Sequence, residues 1–179
     1  MGTIDTVRIG IIIGSTRPGR NAEQVARWVH EVASQRNDAT FELVDLADHP
    51  LPHLDEPVPP ARQAYEHDHT RRWAATIAGF DGFVMVTPEY NHSTSGVLKN
   101  ALDYLFHEWA NKAVGFVSYG GTGGVRAVEH LRLICGELAM ADVRAQVALT
   151  FASDFEHYTT LKPTDRATAT LGTMLGEVI

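Results

Sequence analysis

The chain has 179 residues, a formal net charge of −7, 44% hydrophobic residues and 21% charged residues. These values are typical of one globular domain with a full hydrophobic core, so we expect a single domain over residues 1–179. The acidic balance, without any basic block, argues against a nucleic-acid partner. A single cysteine, Cys135, excludes an internal disulfide and a cysteine-based zinc site.

The N-terminal region contains an apolar run at residues 9–13. This run is too short for a transmembrane helix and lacks the charged flank of a signal peptide. We therefore expect a cytoplasmic protein with no membrane partner.

Apolar runs and helical patterns alternate five times along the chain. The predicted strands are residues 7–14, 41–46, 81–87, 113–119 and 143–149. The predicted helices are residues 22–35, 61–78, 96–109 and 125–140, followed by a C-terminal helix capped by Thr164. Asn21 and Gln24 fit a capping box at the start of the first helix. This alternation predicts a parallel sheet with helices on both faces.

The length and the number of strands favour one arrangement of such a sheet. Five strands fit the flavodoxin-like order 2-1-3-4-5 better than the six-stranded dinucleotide-binding order. In that order the ligand crevice lies between strands one and three, outside their carboxyl ends. Three polar loops are predicted to converge there, at residues 14–21, 88–95 and 118–124.

The first loop has the composition of a phosphate site. Ser15 and Thr16 supply hydroxyls, Arg17 or Arg20 supplies positive charge, and the helix that opens at Asn21 presents free N–H groups. The loop is neither a Walker A sequence nor the dinucleotide fingerprint. It therefore suggests one phosphate, and hence a mononucleotide. An ordinary turn before a capped helix is the alternative.

The other two loops offer flat surface and close backbone approach. Tyr90 can cover a ring, and the N–H groups of residues 89–91 can face ring carbonyls or nitrogens. Four glycines within residues 120–124 follow Ser118 and Tyr119, and glycine lets a backbone approach a ligand closely. The alternatives are a solvated connection and a flexible turn. Together at one crevice, the three loops indicate a binding site.

These segments resemble the NADPH-dependent FMN reductase family, which includes flavin, quinone, chromate and azo-dye reductases. The resemblance covers roughly residues 7–147. It is carried by residues 14–17, by the PEYN-to-LKNALD segment at residues 88–103, and by residues 118–121 followed by Arg126 and Ala127. The segment at residues 88–103 is its most specific part.

The resemblance implies a flavodoxin-like fold of three layers, α/β/α, and FMN bound without a covalent link. The implied cofactor-binding residues are Ser15, Thr16, Arg17, Arg20 and Asn21 at the phosphate, Pro88, Glu89, Tyr90 and Asn91 along the ring, and Ser118, Tyr119, Gly120 and Gly121 on its other side. A ligand contact by His92 is left open. Because the flavin carries the redox chemistry, we expect no catalytic acid, base or nucleophile, and no metal ligand.

The leading interpretation is an NAD(P)H-dependent oxidoreductase with NADPH or NADH as co-substrate. Hydride would pass through FMN to a small acceptor by a ping-pong mechanism, the candidates being a quinone, free flavin, azo compound or metal oxyanion. The alternative is a flavodoxin-type electron carrier that does not itself oxidise a pyridine nucleotide. Arg17, Arg20 and the moderate charge of −7 favour the enzyme.

The helix predicted at residues 96–109 also suggests an assembly. Its apolar positions cover roughly 200° of a helical wheel, whereas packing on one sheet needs a stripe of about 100°. The surplus predicts a homodimer or a dimer of dimers with this helix at the interface. Cover by another part of the same chain, such as the proline-rich loop, is the alternative.

Overall fold

The protein is described here from a computed structural model that covers residues 6–179. Residues 1–5, which the single-domain prediction includes, lie outside the described residues. Five parallel strands form one sheet in the order β2-β1-β3-β4-β5, as predicted. They are β1 (Val7–Ile13), β2 (Ala39–Asp45), β3 (Gly82–Pro88), β4 (Ala113–Gly120) and β5 (Ala141–Thr150).

Helices cover both faces of this sheet. They are α1 (Ala22–Ala33), α2 (Asp68–Ala78), α3 (Gly96–Asp103), α4 (Val125–Glu137) and α5 (Asp165–Val178). An additional two-stranded hairpin, β6 (Phe155–Glu156) and β7 (Thr160–Leu161), precedes α5 and was not predicted. Among residues 6–179, no helix is both long enough and apolar enough to cross a bilayer.

The core has two halves because successive side chains of a strand point to opposite faces. Ile11 of β1 packs in the half that contains α1 and α5. Ile12, the next residue, packs in the half that contains α2, α3 and α4. The central strands are buried on both faces, which explains their continuous apolar runs and produces the predicted three layers.

Of the two predicted helix caps, one is confirmed and the other is wrong. Thr164 caps α5, since its side chain accepts a hydrogen bond from Ala167 N, as predicted. The capping box at α1 is wrong: Asn21 has helical backbone angles and its side chain accepts no bond from the helix backbone. Its Oδ1 instead accepts from Gln24 Nε2 at 2.8 Å.

The segment before α2 contains only a single 3₁₀ turn, Pro60–Arg62, where a longer helix was predicted. The prediction began this helix at residue 61, but α2 begins at Asp68.

Residues 50–55, which we name the proline strap, lie against α3. Asn100 Nδ2 donates to Pro52 O at 2.7 Å, and Asn100 Oδ1 accepts from Leu54 N at 3.1 Å. The Tyr104 hydroxyl donates to Asp55 Oδ1 at 2.8 Å, so α3 and the residue after it hold the strap in place.

The proline strap removes the argument for an interface along α3. The helix ends at Asp103, not at residue 109, and the apolar residues beyond it fold back into the core. Tyr104 and Trp109 are completely buried within this chain. The alternative, cover by the same chain, therefore accounts for the surplus apolar arc, and only Val97 stays exposed among the large apolar residues of α3.

Candidate functional site

The three predicted loops meet at the carboxyl edge of the sheet. β3 lies between β1 and β4, with Ile13 paired to Val86 and Pro88 paired to Tyr119. The loops that follow these strands therefore leave the sheet side by side. This is the position at which open α/β sheets place their ligands.

Gly14 fastens the first loop to the neighbouring strand and helix. Its N–H donates to Val86 O at 2.8 Å, and its carbonyl accepts from the Ser95 hydroxyl. A Cβ at Gly14 would lie 2.5 Å from Val86 O and 2.9 Å from Leu98 Cδ2. Only glycine allows this close approach, which fixes where the first loop begins.

The middle of the first loop presents free polar groups. Ser15 is buried, and its Oγ forms a hydrogen bond of 3.1 Å with the Tyr90 hydroxyl, in which either oxygen can be the donor. Thr16 and Arg17 are exposed. Within residues 6–179, no carboxylate lies within ion-pair distance of the Arg17 guanidinium, whose carbon is 6.0 Å from the Tyr90 ring centroid. Arg17 can therefore bind an anionic ligand.

Arg20 and Asn21 are engaged with other parts of the protein. Arg20 donates to Ser15 O at 2.7 Å and forms an ion pair with Asp45 at the end of β2. Asn21 Nδ2 donates to Tyr158 O, at the tip of the β6–β7 hairpin, at 3.2 Å. Both side chains thus brace the first loop in this conformation, which the sequence did not reveal.

The second loop is a tight turn between Tyr90 and Ser93. The two residues exchange backbone hydrogen bonds of 2.9 and 3.1 Å. Asn91 and His92 between them have φ angles of 49° and 73°, in the left-handed region that L-residues rarely occupy. Such strain persists only where surrounding contacts enforce it, and it concentrates at functional sites.

Fewer N–H groups of the second loop are free than the sequence suggested. Glu89 N donates to Tyr119 O at 3.2 Å, and Tyr90 N is used within the turn. The prediction that residues 89–91 all present N–H groups to a ring is therefore wrong for the first two. Asn91 is exposed at the tip of the turn, and Pro88 is the buried last residue of β3.

In the third loop, Ser118 supports the structure, Gly120 is buried and Gly121 is exposed. The buried Ser118 hydroxyl donates to Gly123 O at 2.6 Å. Gly124 has a φ of 70°, and a Cβ there would lie 2.7 Å from Ser118 Cβ. A Cβ at Gly121 would meet nothing within 4 Å, so open space lies beside this part of the loop.

Tyr119 contributes its backbone, since its side chain belongs to the core. Its ring packs near Phe151 and Phe155. Burial raises the pKa of the Tyr119 hydroxyl, with a further contribution from the nearby Tyr90. Tyr119 therefore remains neutral at any physiological pH, and what it offers at the crevice edge is its carbonyl, bound to Glu89 N.

Arg126, in the first turn of α4, is a residue of this region that the predicted site omitted. Its backbone N–H donates to Glu89 Oε2 at 3.2 Å, and its guanidinium forms an ion pair with the same carboxylate. The guanidinium also contacts Thr122 Oγ1 at 3.0 Å and His92 Nδ1 at 3.3 Å. A carboxylate as buried as that of Glu89, 8% exposed, needs a cation, and an arginine two residues after the glycine loop was the available signal.

A cavity of about 860 Å³ opens beside the first loop. Its walls include residues 15–17, Tyr90, His49, Val97 and the first four residues of the proline strap, 50–53. Burial lowers the pKa of His49, against the opposing effect of nearby carboxylates, which favours its neutral form. No sequence signal pointed to this cavity, because it exists only through the packing of the strap on α3.

The residues present fit a flavin mononucleotide. Thr16 and Arg17, which has no carboxylate partner within residues 6–179, suit a single phosphate beside the start of α1. Asn91 at the turn tip and the open space at Gly121 suit the edge of a polar ring. This donor set lacks a second phosphate loop, so it matches a mononucleotide better than a dinucleotide.

Comparison with known proteins identifies the chain's relatives. The NADPH-dependent FMN reductase family matches residues 7–154. An NAD(P)H-dependent FMN reductase of Schizosaccharomyces pombe is 42% identical over 151 residues, which cover 83% of this chain and 76% of that protein. Another, from Nectria sp, is 40% identical over 156 residues, covering 82% and 76% of the two chains.

Among solved structures, the flavoenzyme FerB of Paracoccus denitrificans, an NAD(P)H:(acceptor) oxidoreductase, superposes with a TM-score of 0.73. The match covers 97% of both chains at 17% identity and supports the flavodoxin-like fold. The sequence relatives are named as enzymes, which favours the oxidoreductase over the electron carrier. The chain belongs to the NADPH-dependent FMN reductase family and is an NAD(P)H-dependent oxidoreductase with FMN as its cofactor.

Proposed function

We propose that this chain uses FMN at the three loops to pass reducing equivalents from NAD(P)H to a small acceptor. The observation that carries the proposal is the convergence of a phosphate-type loop, a strained turn and a glycine loop at one edge of the sheet. Bound FMN supplies the redox chemistry, since the flavin ring accepts a hydride and releases electrons, which no side chain at this site does.

The first loop holds the phosphate in this proposal. Ser15, Thr16 and Arg17 contact it, because they combine hydroxyls with a guanidinium that lacks a carboxylate partner among the described residues. Arg20 and Asn21 act on the same phosphate by bracing the loop through Asp45 and the β6–β7 hairpin.

The second and third loops hold the ring. Pro88, Glu89, Tyr90 and Asn91 form one wall, with Asn91 N–H as the exposed donor. Gly120 and Gly121 form the other wall, where the missing side chains permit close approach. Ser118 and Tyr119 keep this wall in place through their bonds to Gly123 O and Glu89 N, respectively.

The cavity beside the first loop receives NAD(P)H and the acceptor in turn. It shares residues 15–17 and Tyr90 with the cofactor site, so an occupant lies against the bound cofactor. None of the described residues that line it is acidic, and Arg17 is its one cationic residue apart from its histidines. Largely apolar walls suit a flat quinone, azo compound or flavin better than a metal oxyanion, which needs several cations.

Steady-state kinetics tests this function. Because both substrates occupy one cavity, double-reciprocal plots at several acceptor concentrations should give parallel lines. Mixing the FMN-loaded protein anaerobically with NADPH or NADH alone should bleach the flavin absorbance within one turnover. Intersecting lines would show that both substrates bind together, and the shared cavity would be ruled out. A flavin that stays oxidised with NAD(P)H would contradict the enzymatic function.

We also propose a homodimer or a dimer of dimers. Since the α3 argument does not hold, its support is the exposed apolar side chains of Val97, Val125 and Leu133, the last 76% exposed on α4. Light scattering at micromolar concentration should give at least twice the mass of 19.7 kDa. A monomer at that concentration would exclude the assembly.

We propose that the enzyme works in the cytoplasm. NAD(P)H is available there, and the free thiol of Cys135 suits a reducing compartment. Fractionation of the source cells with an antibody against this chain tests the location, and recovery in a membrane or extracellular fraction would contradict it.

A further inference from the structure

Two side chains of α4, those of Arg126 and His130, contact the strained turn at residues 90–93. Arg126 and His130 lie four residues apart on that helix, so their side chains share one face. Arg126 contacts Glu89 and His92, before and within the turn, and His130 Nδ1 lies 2.9 Å from Ser93 Oγ at its end. Two neighbouring side chains of one helix thus reach the beginning, middle and end of the turn.

The same arginine also reaches the third loop. Its Nη2 donates to Thr122 Oγ1 at 3.0 Å, next to Gly121. The two loops proposed to form opposite walls of the ring site are therefore joined through a single guanidinium. Core packing fixes the part of α4 that carries Arg126, since Ala127, Val128 and Leu131 are completely buried.

The contacts of Arg126 are charge-assisted. A guanidinium can only donate, so His92 Nδ1 and Thr122 Oγ1 are the acceptors in these contacts. The Glu89 carboxylate pairs with the same guanidinium, and the Glu89 side chain is 8% exposed. If Arg126 were removed, a nearly buried negative charge would remain beside the ring site without a cation.

We propose that Arg126 is a positioning residue of this enzyme, which holds residues 89–93 in the strained conformation that binds the flavin ring. It acts through Glu89 and His92 and touches neither substrate, and His130 supports it at Ser93. The proposal rests on the placement of the ring at this turn given above. It adds an electrostatic role, because Arg126 neutralises the Glu89 carboxylate next to the flavin.

The first test uses the protein without cofactor. Arg126→Gln should increase amide hydrogen exchange of residues 89–93 and 120–124 by about tenfold or more, since it removes charge-assisted hydrogen bonds. Arg27→Gln is the matched control, because Arg27 forms an exposed ion pair with Glu23 on α1, away from the site. Exchange that changes no more than in the control would overturn the proposal.

The second test adds FMN. Arg126→Gln should raise the Kd for FMN by about tenfold and make the flavin harder to reduce, because Glu89 is left uncompensated. The double variant Glu89→Gln with Arg126→Gln should restore the reduction potential while the turn remains loose. Arg126→Lys should preserve the potential but not the exchange protection, since a compact ammonium lacks the planar fork with which the guanidinium reaches Glu89, His92 and Thr122 together.

The outcomes separate this inference from the proposed cofactor site. A looser turn with unchanged Kd and potential would show that residues 89–93 do not hold the ring, and would overturn the placement of the ring and the inference together. A firm turn in Arg126→Gln with normal FMN binding would overturn the inference alone and leave the cofactor site standing.

Discussion

Arg17 and Arg20 lie three positions apart in one loop, and the fold uses them differently. Arg20 is nearly buried and paired with Asp45, so its charge is compensated inside the protein. Arg17 is exposed and, among the described residues, has no carboxylate partner. The electrostatic attraction for a phosphate therefore depends mainly on Arg17.

Arg17→Ala should weaken FMN binding and leave riboflavin binding unchanged. A hydrogen bond to a charged group contributes about 1.5–3 kcal/mol, so the Kd for FMN should rise about tenfold or more. Riboflavin lacks the phosphate, so its Kd should stay within about twofold. Fluorescence titration with both ligands gives the two constants.

Arg27→Ala serves as the control for a general change in charge. It also removes one positive charge, but Arg27 lies on α1 and is paired with Glu23. It should alter neither Kd. If Arg17→Ala weakened both ligands equally, or if the unchanged protein bound riboflavin as tightly as FMN, the first loop would not be a phosphate site.

At the scale of elements, the start of α4 determines the shape of the third loop. Gly124 precedes the helix with a φ of 70°, and the space where its Cβ would stand is occupied by Ser118 and the Tyr119 backbone. The position of α4 relative to β4 therefore depends on the absence of a side chain at residue 124. Because Arg126 follows two residues later, its ion pair with Glu89 depends on the same placement of α4.

Gly124→Ala should lower the free energy of unfolding by about 2 kcal/mol or more. A left-handed φ in a residue with a Cβ costs about 1–2 kcal/mol, and the overlap with Ser118 adds to that. Urea denaturation followed by circular dichroism measures the change.

Gly136→Ala, near the other end of α4, provides the comparison. A Cβ there meets nothing within 4 Å, and alanine is the better helix former, so this variant should be neutral or more stable by up to about 1 kcal/mol. Equal loss of stability in the two variants would show that the left-handed φ and the overlap with Ser118 do not explain the effect of Gly124→Ala.

At the scale of the whole molecule, the ionisation of the only cysteine links the stability of the fold to pH. Cys135 is completely buried in the half of the core that contains α4. Burial raises the pKa of its thiol from 9.0 to about 12, so the native state keeps the proton that the unfolded chain loses. This contribution to stability is complete below pH 9 and disappears as the pH rises toward 12.

Cys135→Ala should therefore flatten the pH dependence of stability in that range. The thiol contributes a decline of about 1.4 kcal/mol per pH unit between pH 9 and 12, which the variant lacks. Tyr104, whose pKa burial raises to about 12, contributes equally to both proteins. Urea denaturation from pH 8 to 11 gives the two slopes, and identical slopes would contradict the buried-thiol assignment.

The sequence alone determined the sheet and the edge at which the three loops meet. The uninterrupted apolar runs of β1 and β3 can belong only to strands covered on both faces, and their alternation with helices leaves few topologies. Gly14 and residues 15–17 follow one such run, so the position of the phosphate-type loop could be predicted from local order along the chain.

Tertiary structure decided which side chains are free to act and where the cavity lies. The partners of Arg20 and Arg126, namely Asp45 and Glu89, are distant in sequence, so no local pattern separates an engaged arginine from an available one. The cavity likewise depends on Asn100 fastening the proline strap some 46–48 residues away. Periodicity reports which face of an element is apolar, whereas the cover for that face is chosen by contacts between distant parts of the chain.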